Sequence, residues 1–300
     1  MVSTVQYETH TWLWRGHKIN YTVRGQGQPL VLLHGFGASV GHWRKNIPVL
    51  AEHYQVYALD WIGFGASDKP EVEYTLNLLE EQLIDFLKTF ITEPVVLVGN
   101  SIGSLVALMA SAHQPSGVSI NGTVLLNCAG GLTHRPEELP AFLRPLMAGF
   151  RLALKLPGLG EFLFNRVRSP RNVRNTLLQV YGNKDAVTDE LVDLLCKPAE
   201  DPGAARVFIN IIAGPAGDEL PEELLPLVPN PILVLWGEDD PWTPIKRGRD
   251  FTKYHPNLEF VALPQTGHCP HDDQPELVHS YLLPWLNQLV QRNRFSDNID

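Results

Sequence analysis

The residues Gly99-Asn100-Ser101-Ile102-Gly103 set a serine between two glycines, directly after one apolar run (VVLV, 95–98) and just before another (LVALMASAH, 105–113). A serine at such a corner is either a turn residue or a nucleophile. A hydroxyl is a weak nucleophile at neutral pH; it needs a histidine to take its proton and a carboxylate to hold that histidine. The same five-residue pattern recurs at Gly37-Ala38-Ser39-Val40-Gly41. A nucleophile elbow requires its serine at once after a strand and at the start of a helix, with small flanking residues. Ser101 meets that requirement. Ser39 does not, because His34, Gly35, Phe36 and Gly37 intervene between its strand and the serine.

The earlier pattern suits another task. Two backbone N–H groups must face the oxyanion that forms during acyl transfer, one from the residue after the nucleophile and one from the loop after an earlier strand. Those donors are Ile102 and Phe36. Gly35 and Asn100 adjoin them and are expected to border the substrate, and Gly35 and Gly37 let the loop backbone approach closely.

With the serine first, the carboxylate and then the histidine follow along the chain. PILVLWGEDDPW (231–242) is a strand ending in three acids, and LPQTGHCPHDD (263–273) follows the last strand. Asp240 is the expected acid, with Asp239 a close alternative and Glu238 a distant third. His268 is the expected base, with His271 its rival. His268, His271, Asp272 and Asp273 match no zinc-ligand spacing. Gly-x-Gly-x-x-Gly fails at Val40 and at Asp68. No metal, nucleotide or other cofactor is expected.

The elements that must position these residues are short β-branched runs alternating with amphipathic stretches. Strands are expected at 19–23, 30–33, 56–59, 95–98, 123–126, 232–236 and 259–263, and helices at about 75–90, 101–113, 244–254 and 275–291. Such alternation predicts an α/β fold with a mostly parallel sheet covered on both faces. No strand is expected between 131 and 227, where the pattern is helical. That length predicts an inserted helical cap (131–227) within a core formed by 1–130 and 228–300.

The 300 residues are 44% hydrophobic and 19% charged, ordinary for a globular chain, and the net charge of −9 argues against a nucleic-acid partner. The start shows no signal-peptide pattern, and no apolar run approaches the roughly 20 residues of a membrane span. Three widely spaced cysteines, Cys128, Cys196 and Cys269, fit a reduced compartment, so a cytoplasmic location is expected. Between 144 and 174, seven basic residues stand against one acid, Glu161, among Leu, Phe and Met. Such a segment is read either as amphipathic helices with a solvated outer face and a packed inner one, or as a surface for peripheral contact with an anionic membrane.

With these residues in hand, the chain resembles the α/β-hydrolase superfamily over nearly its whole length. The resemblance rests on HGFGAS (34–39), LDWIGFGASDKP (59–70), VGNSIGS (98–104), VLWGEDDPWTP (234–244) and GHCPHDDQPELV (267–278). Within it, Asn100 and the GHCPHDDQPE tail resemble the plant and cyanobacterial pheophytinase and chlorophyll dephytylase group. The departure is Ser104, where that group often has a second glycine. The resemblance implies an α/β-hydrolase fold, an acyl-enzyme route to ester cleavage, and a hydrophobic, phytyl-type ester as substrate, with peripheral contact to a thylakoid-type membrane. A serine at 101 departs from the aspartate nucleophiles of dehalogenases and epoxide hydrolases. C–C bond hydrolases of dienoic ring-cleavage products, and receptors that retain the triad, stay open as alternatives.

Overall fold

Each buried strand is split by the two-residue period of its side chains. Leu30 and Leu32 pack to one face of the sheet and Val31 and Leu33 to the other; Val96 and Val98 oppose Val95 and Leu97 in the same way. A strand apolar on both faces must lie between two layers of helix, and that requirement builds the molecule. The computed structural model describes residues 8–131, 144–154, 156, 158–214, 217 and 219–296. Residues 132–143 of the expected cap (131–227), with 155, 157, 215, 216 and 218, lie outside the described residues.

Eight strands form one sheet: β1 (Thr9–Trp14), β2 (His17–Arg24), β3 (Pro29–Leu33), β4 (Gln55–Leu59), β5 (Val95–Asn100), β6 (Ile120–Leu126), β7 (Ile232–Gly237) and β8 (Leu258–Leu263). Their order is β1-β2-β4-β3-β5-β6-β7-β8. β1–β2 and β2–β4 are antiparallel, and every other pairing is parallel. The helices are α1 (Ile47–Leu50), α2 (Leu76–Phe90), α3 (Ile102–His113), α4 (Arg144–Leu154), α5 (Leu159–Val167), α6 (Pro170–Val180), α7 (Asp189–Cys196), α8 (Ala204–Ala213), α9 (Pro221–Leu224), α10 (Ile245–Asp250), α11 (Pro270–Asp273) and α12 (Pro275–Ser296).

One face of the sheet is covered through Leu83 and Phe86 of α2 and Val106 and Met109 of α3. The other face meets Trp43, Ile47 and Leu50 near α1, and Leu282, Trp285 and Leu286 of α12. The described residues between β6 and β7 are helical and hold an apolar cluster of their own, with Leu177, Val180, Tyr181, Leu191 and Val192, which Cys269 joins from the core.

The sequence-predicted elements differ from the observed ones at their edges. β1 is an additional strand, antiparallel and half-exposed, whose Trp12 packs on Phe86 and Phe90 at 5.7 and 5.9 Å. Ser101 and Thr75 are caps rather than helical residues, and the Thr75 hydroxyl accepts Leu78 N–H at 3.1 Å. The stretch 244–254 is α10 followed by a short 3₁₀ turn, and the last helix runs on to Ser296 through Pro284.

β5, α3 and β3 meet without space to spare. A Cβ on Gly103 would collide with the carbonyl of Leu33, and one on Gly99 with the backbone of Gly103. Gly149, in α4, faces open space. Gly103→Ala is expected to lower stability by about 2–4 kcal/mol, since backbone must move to admit the methyl. Gly149→Ala is expected to hold or raise stability, by at most about 1 kcal/mol. Urea midpoints of the two variants against the parent check this; equal midpoints would refute the close packing.

Candidate active site

The corner between β5 and α3 is strained. Ser101 has φ 56° and ψ −118°, in the left-handed half of backbone space where residues other than glycine are uncommon. Backbone bonds on both sides hold it: Ser101 N–H donates to Leu126 O at 3.0 Å, and its carbonyl accepts Ala129 N–H at 3.2 Å and Ser104 N–H at 3.1 Å. Ile102 is the first residue of α3, so its N–H has no carbonyl partner one turn back. The Ser104 hydroxyl lies 2.6 Å from Gly99 O and accepts Leu126 N–H at 3.0 Å. It therefore pins the ends of β5 and β6 to the first turn of α3, at the position where the resembling group often carries glycine.

Phe36 enters through its peptide unit. Trp61 N–H donates to His34 Nε2 at 3.2 Å, so the proton of this buried ring sits on Nδ1 and is donated to Gly35 O at 2.8 Å. Burial lowers the pKa of His34, against the opposing charge of Asp60, and favours this neutral form. The peptide is trans, so fixing Gly35 O on the His34 side turns Phe36 N–H away from that ring. A Cβ on Gly35 would lie 3.2 Å from Cβ of Ser101, so the loop is seated against the serine. Asp60, buried at the end of β4, accepts Val40 N–H at 2.7 Å, Ala66 N–H at 2.8 Å and Asn20 Nδ2–H at 2.8 Å, and so fixes the far side of the loop.

His268 and Asp240 are brought together: Nδ1 of the ring donates to Oδ2 of the carboxylate at 2.7 Å. That carboxylate also accepts Asn127 Nδ2–H at 2.6 Å, Trp242 N–H at 2.8 Å, Thr243 N–H at 3.0 Å and the Thr243 hydroxyl. Burial alone would raise the pKa of Asp240; the bonds from His268 and Thr243 outweigh it and hold the group below the usual carboxylate range. With Nδ1 occupied, Nε2 is the nitrogen left to act as base. The His268 backbone is tied to the elbow, since Asn100 Nδ2–H donates to His268 O at 3.0 Å. Asn100 is thus a strut between the two loops as well as a neighbour of Ser101. Asp239 and Glu238 are exposed, and Glu238 lies 3.9 Å from Arg249. His271 is fully buried in α11 against Trp43 at 4.1 Å, and its ring nitrogens make no hydrogen bond.

Several positioning residues escaped the sequence reading: His34, Asp60, Asn127, Thr243 and Asp273. Asp273 accepts Gly267 N–H at 2.7 Å, Gly182 N–H at 2.7 Å and Asn183 N–H at 2.8 Å, joining the His268 loop to the chain after α6. The available signal was positional: polar residues just beyond the carboxyl ends of parallel strands, where such sheets gather their ligands. A small, largely apolar cavity of about 80 Å³ opens beside Phe36, lined among others by Phe64, Phe164, Val207, Phe208 and Lys69. Taken together, the arrangement has the parts for acyl transfer: a serine at an elbow, a carboxylate-held imidazole, and backbone donors on a seated loop.

The sequence model of the alpha/beta hydrolase family matches residues 30–280. The chain is 30% identical over 260 residues to an uncharacterized hydrolase, YugF, of Bacillus subtilis, covering 86% of this chain and 90% of that one. It is 28% identical over 300 residues to the chloroplastic pheophytinase of Arabidopsis thaliana, covering 87% of this chain and 62% of that one. It is also 28% identical over 286 residues to a 2-hydroxy-6-oxo-6-(2'-aminophenyl)hexa-2,4-dienoic acid hydrolase of Metapseudomonas resinovorans, covering 93% and 91%.

Behind the site, Tyr181 OH donates to Asp272 at 2.9 Å and lies 2.9 Å from His42 Nε2. The tyrosine's proton goes to the carboxylate, so the ring nitrogen is the donor and its Nδ1 is left without a partner. Burial, only partly offset by Asp272, lowers the pKa of His42 to about 4, while the unfolded chain titrates near the ordinary value of 6.5. Protons therefore bind the unfolded state first. This group's contribution is complete above about pH 6.5 and is lost as pH falls towards 4, by roughly 3 kcal/mol. His34 and His271, also lowered by burial, act in the same direction. His42→Gln is expected to lose about 2–3 kcal/mol less than the parent between neutral pH and about pH 4. Urea unfolding across that range measures the slope, and identical slopes would contradict a buried neutral ring.

Proposed function

We propose, since the chain belongs to the alpha/beta hydrolase family, that this hydrolase cleaves a neutral, largely apolar carboxylic ester through an acyl-enzyme. The observation that carries the reading is the 2.7 Å bond from His268 Nδ1 to Asp240, in a loop bonded through Asn100 to the elbow of Ser101. As Ser101 Oγ attacks the ester carbonyl carbon, its proton passes to Nε2 of His268. The carbonyl oxygen takes the negative charge, stabilised by the N–H groups of Phe36 and Ile102. The bond to the alcohol oxygen then breaks, and that oxygen leaves with the proton from His268. A water, deprotonated by the same ring, attacks the acyl carbon; the acid departs and Ser101 regains its proton. Asp240 keeps the imidazole in the required tautomer and stabilises its charged form.

The substrate class follows from the cavity wall. That wall includes four aromatic rings, Phe36, Phe64, Phe164 and Phe208, beside Leu195 and Val207. The one cation among its described lining residues, Lys69, is neutralised by Asp201 at 2.8 Å and also bonds Gly65 O at 2.8 Å. A carboxylate on the substrate would lose its hydration there without gaining a partner. This supports a neutral ester over the dienoic acid named for the Metapseudomonas relative. A long branched alcohol, as in the esters of the pheophytinase group, falls within the supported class. In this reading α4 to α9 act as a cap whose inner side selects the ester.

Turnover of p-nitrophenyl esters of increasing acyl length tests the proposal. Ser101→Ala is expected to reduce kcat/KM by at least about 10³-fold. An ester bearing a free carboxylate is expected to be poorer than its neutral counterpart by on the order of tenfold or more. Undiminished turnover by Ser101→Ala would overturn the reading, and so would binding of esters without any turnover by the parent.

A further inference from the structure

Among the described residues, large apolar side chains are exposed in one run above all others. Phe150, Leu152, Leu156, Phe162, Val167 and Leu178 are 38–70% exposed, in the stretch from α4 to α6. Isolated exposed apolar residues need no explanation, whereas a cluster marks an interaction surface. The outer side of α5 presents Phe162, Asn165 and Arg166 to solvent, while Phe164 faces inward and lines the cavity. The same helix that borders the proposed substrate chamber therefore carries an apolar outer surface.

Charge decides which partner fits this surface. In a chain of net charge −9, the stretch 144–174 carries seven basic residues and one acid. Arg166 and Arg171 are exposed on it, whereas Arg174 is paired with Asp189 and Arg168 is bonded to Asn165 at 2.7 Å. The rest of the molecule carries a strongly acidic net charge, so this basic stretch is the side suited to face an anionic surface. No helix of the described residues is long and apolar enough to cross a membrane, so contact would lie in the interface plane.

We propose that the α4–α6 surface docks on an anionic phospholipid membrane. Leu152, Leu156 and Phe162 enter the boundary between headgroups and acyl chains, and Arg166 and Arg171 meet the lipid phosphates. The inference deepens the ester-hydrolase reading by supplying the source of an apolar substrate, which then passes from bilayer to cavity along α5.

Flotation of the full chain with vesicles of phosphatidylcholine alone, or mixed with phosphatidylglycerol, tests docking without reference to turnover. Binding to the anionic vesicles is expected, weakened by high salt and absent with the neutral ones. Arg166→Glu/Arg171→Glu is expected to lower partitioning by roughly 20-fold or more. Leu152→Ser/Phe162→Ser is expected to lower it comparably, while turnover of a short water-soluble ester stays at the parental level as a check on folding. Failure to bind anionic vesicles at low salt would overturn the proposal. So would a stable dimer that the Leu152→Ser/Phe162→Ser variant converts to monomer, since the surface would then belong to a second copy. Loss of ester turnover in the parent, with vesicle binding intact, would sink the hydrolase reading and leave the docking surface standing.

Discussion

The backbone of Ser101 is the constraint on which the rest of the site depends. A non-glycine residue at φ 56° and ψ −118° costs on the order of 1–3 kcal/mol, and it persists only where its surroundings leave no alternative. Here the surroundings are a strand end, a helix start and a neighbouring strand, locked by backbone bonds to Leu126, Ala129 and Ser104. The two glycines of the motif are the sterically necessary part, because a methyl at either would strike backbone. Relaxing Ser101 into ordinary helical geometry would turn its hydroxyl and the Ile102 N–H out of register with the loop of Phe36. Strain at one residue is thus held by packing across three elements.

The same economy governs the buried polar groups. Asp60, Asn100, Asn127, Asp240 and His268 all sit at or beyond the carboxyl ends of parallel strands and are nearly inaccessible to solvent. Groups so placed cost free energy unless partnered. Their partners are one another's side chains and backbone N–H and C=O groups of the loops around the candidate site. Asp240 gathers donors from His268, Asn127, Trp242 and Thr243. Asn127 in turn accepts Gly237 N–H at 3.1 Å, closing a ring between the ends of β6 and β7. Satisfying a carboxylate and orienting a loop are here one and the same act, which explains why Asp240 stays ionised despite its burial.

Much of this was legible in the chain, for a definite reason. Strands apolar on both faces announce a covered parallel sheet, and the residue after each strand end inherits a fixed place at one sheet edge. Ser101 and His268 are readable from that rule. Adjacent acids are harder: Asp239 and Asp240 share a loop, and only the fold turns one inward and leaves the other in solvent. β1 was missed because an edge strand needs only an alternating pattern, and THTWLW satisfies it weakly. His34, Asn127 and Asp273 carry no local signature, since their partners include Trp61, Asp240 and Gly182, far off along the chain. The expected helix starts at Ser101 and Thr75 were off by one residue because a cap shares the composition of a first turn.

The helical segment between β6 and β7 is fastened to the core where the proposed base sits. Val180 O accepts His268 N–H at 2.8 Å, and Asp273 bonds both Gly182 on one side and Gly267 on the other. Gly182 and Gly267 are glycines for a steric reason: a Cβ on either would run into the facing backbone, of Gln265 and Val180 respectively. Two chains packed backbone to backbone, with a buried carboxylate bridging them, have little freedom to part. The end of α6 and the His268 loop must therefore move as one body, and any opening of the cavity has to come from elsewhere in the segment. α5 and α8 meet the cavity through Phe164 and Phe208, whose rings pack on each other at 5.3 Å. Aromatic contacts of that kind slide and re-form at far lower cost than the buried polar bridge breaks. The division of labour follows from the bonding: polar backbone ties fix the loop of the proposed base, and apolar contacts line the cavity beside it.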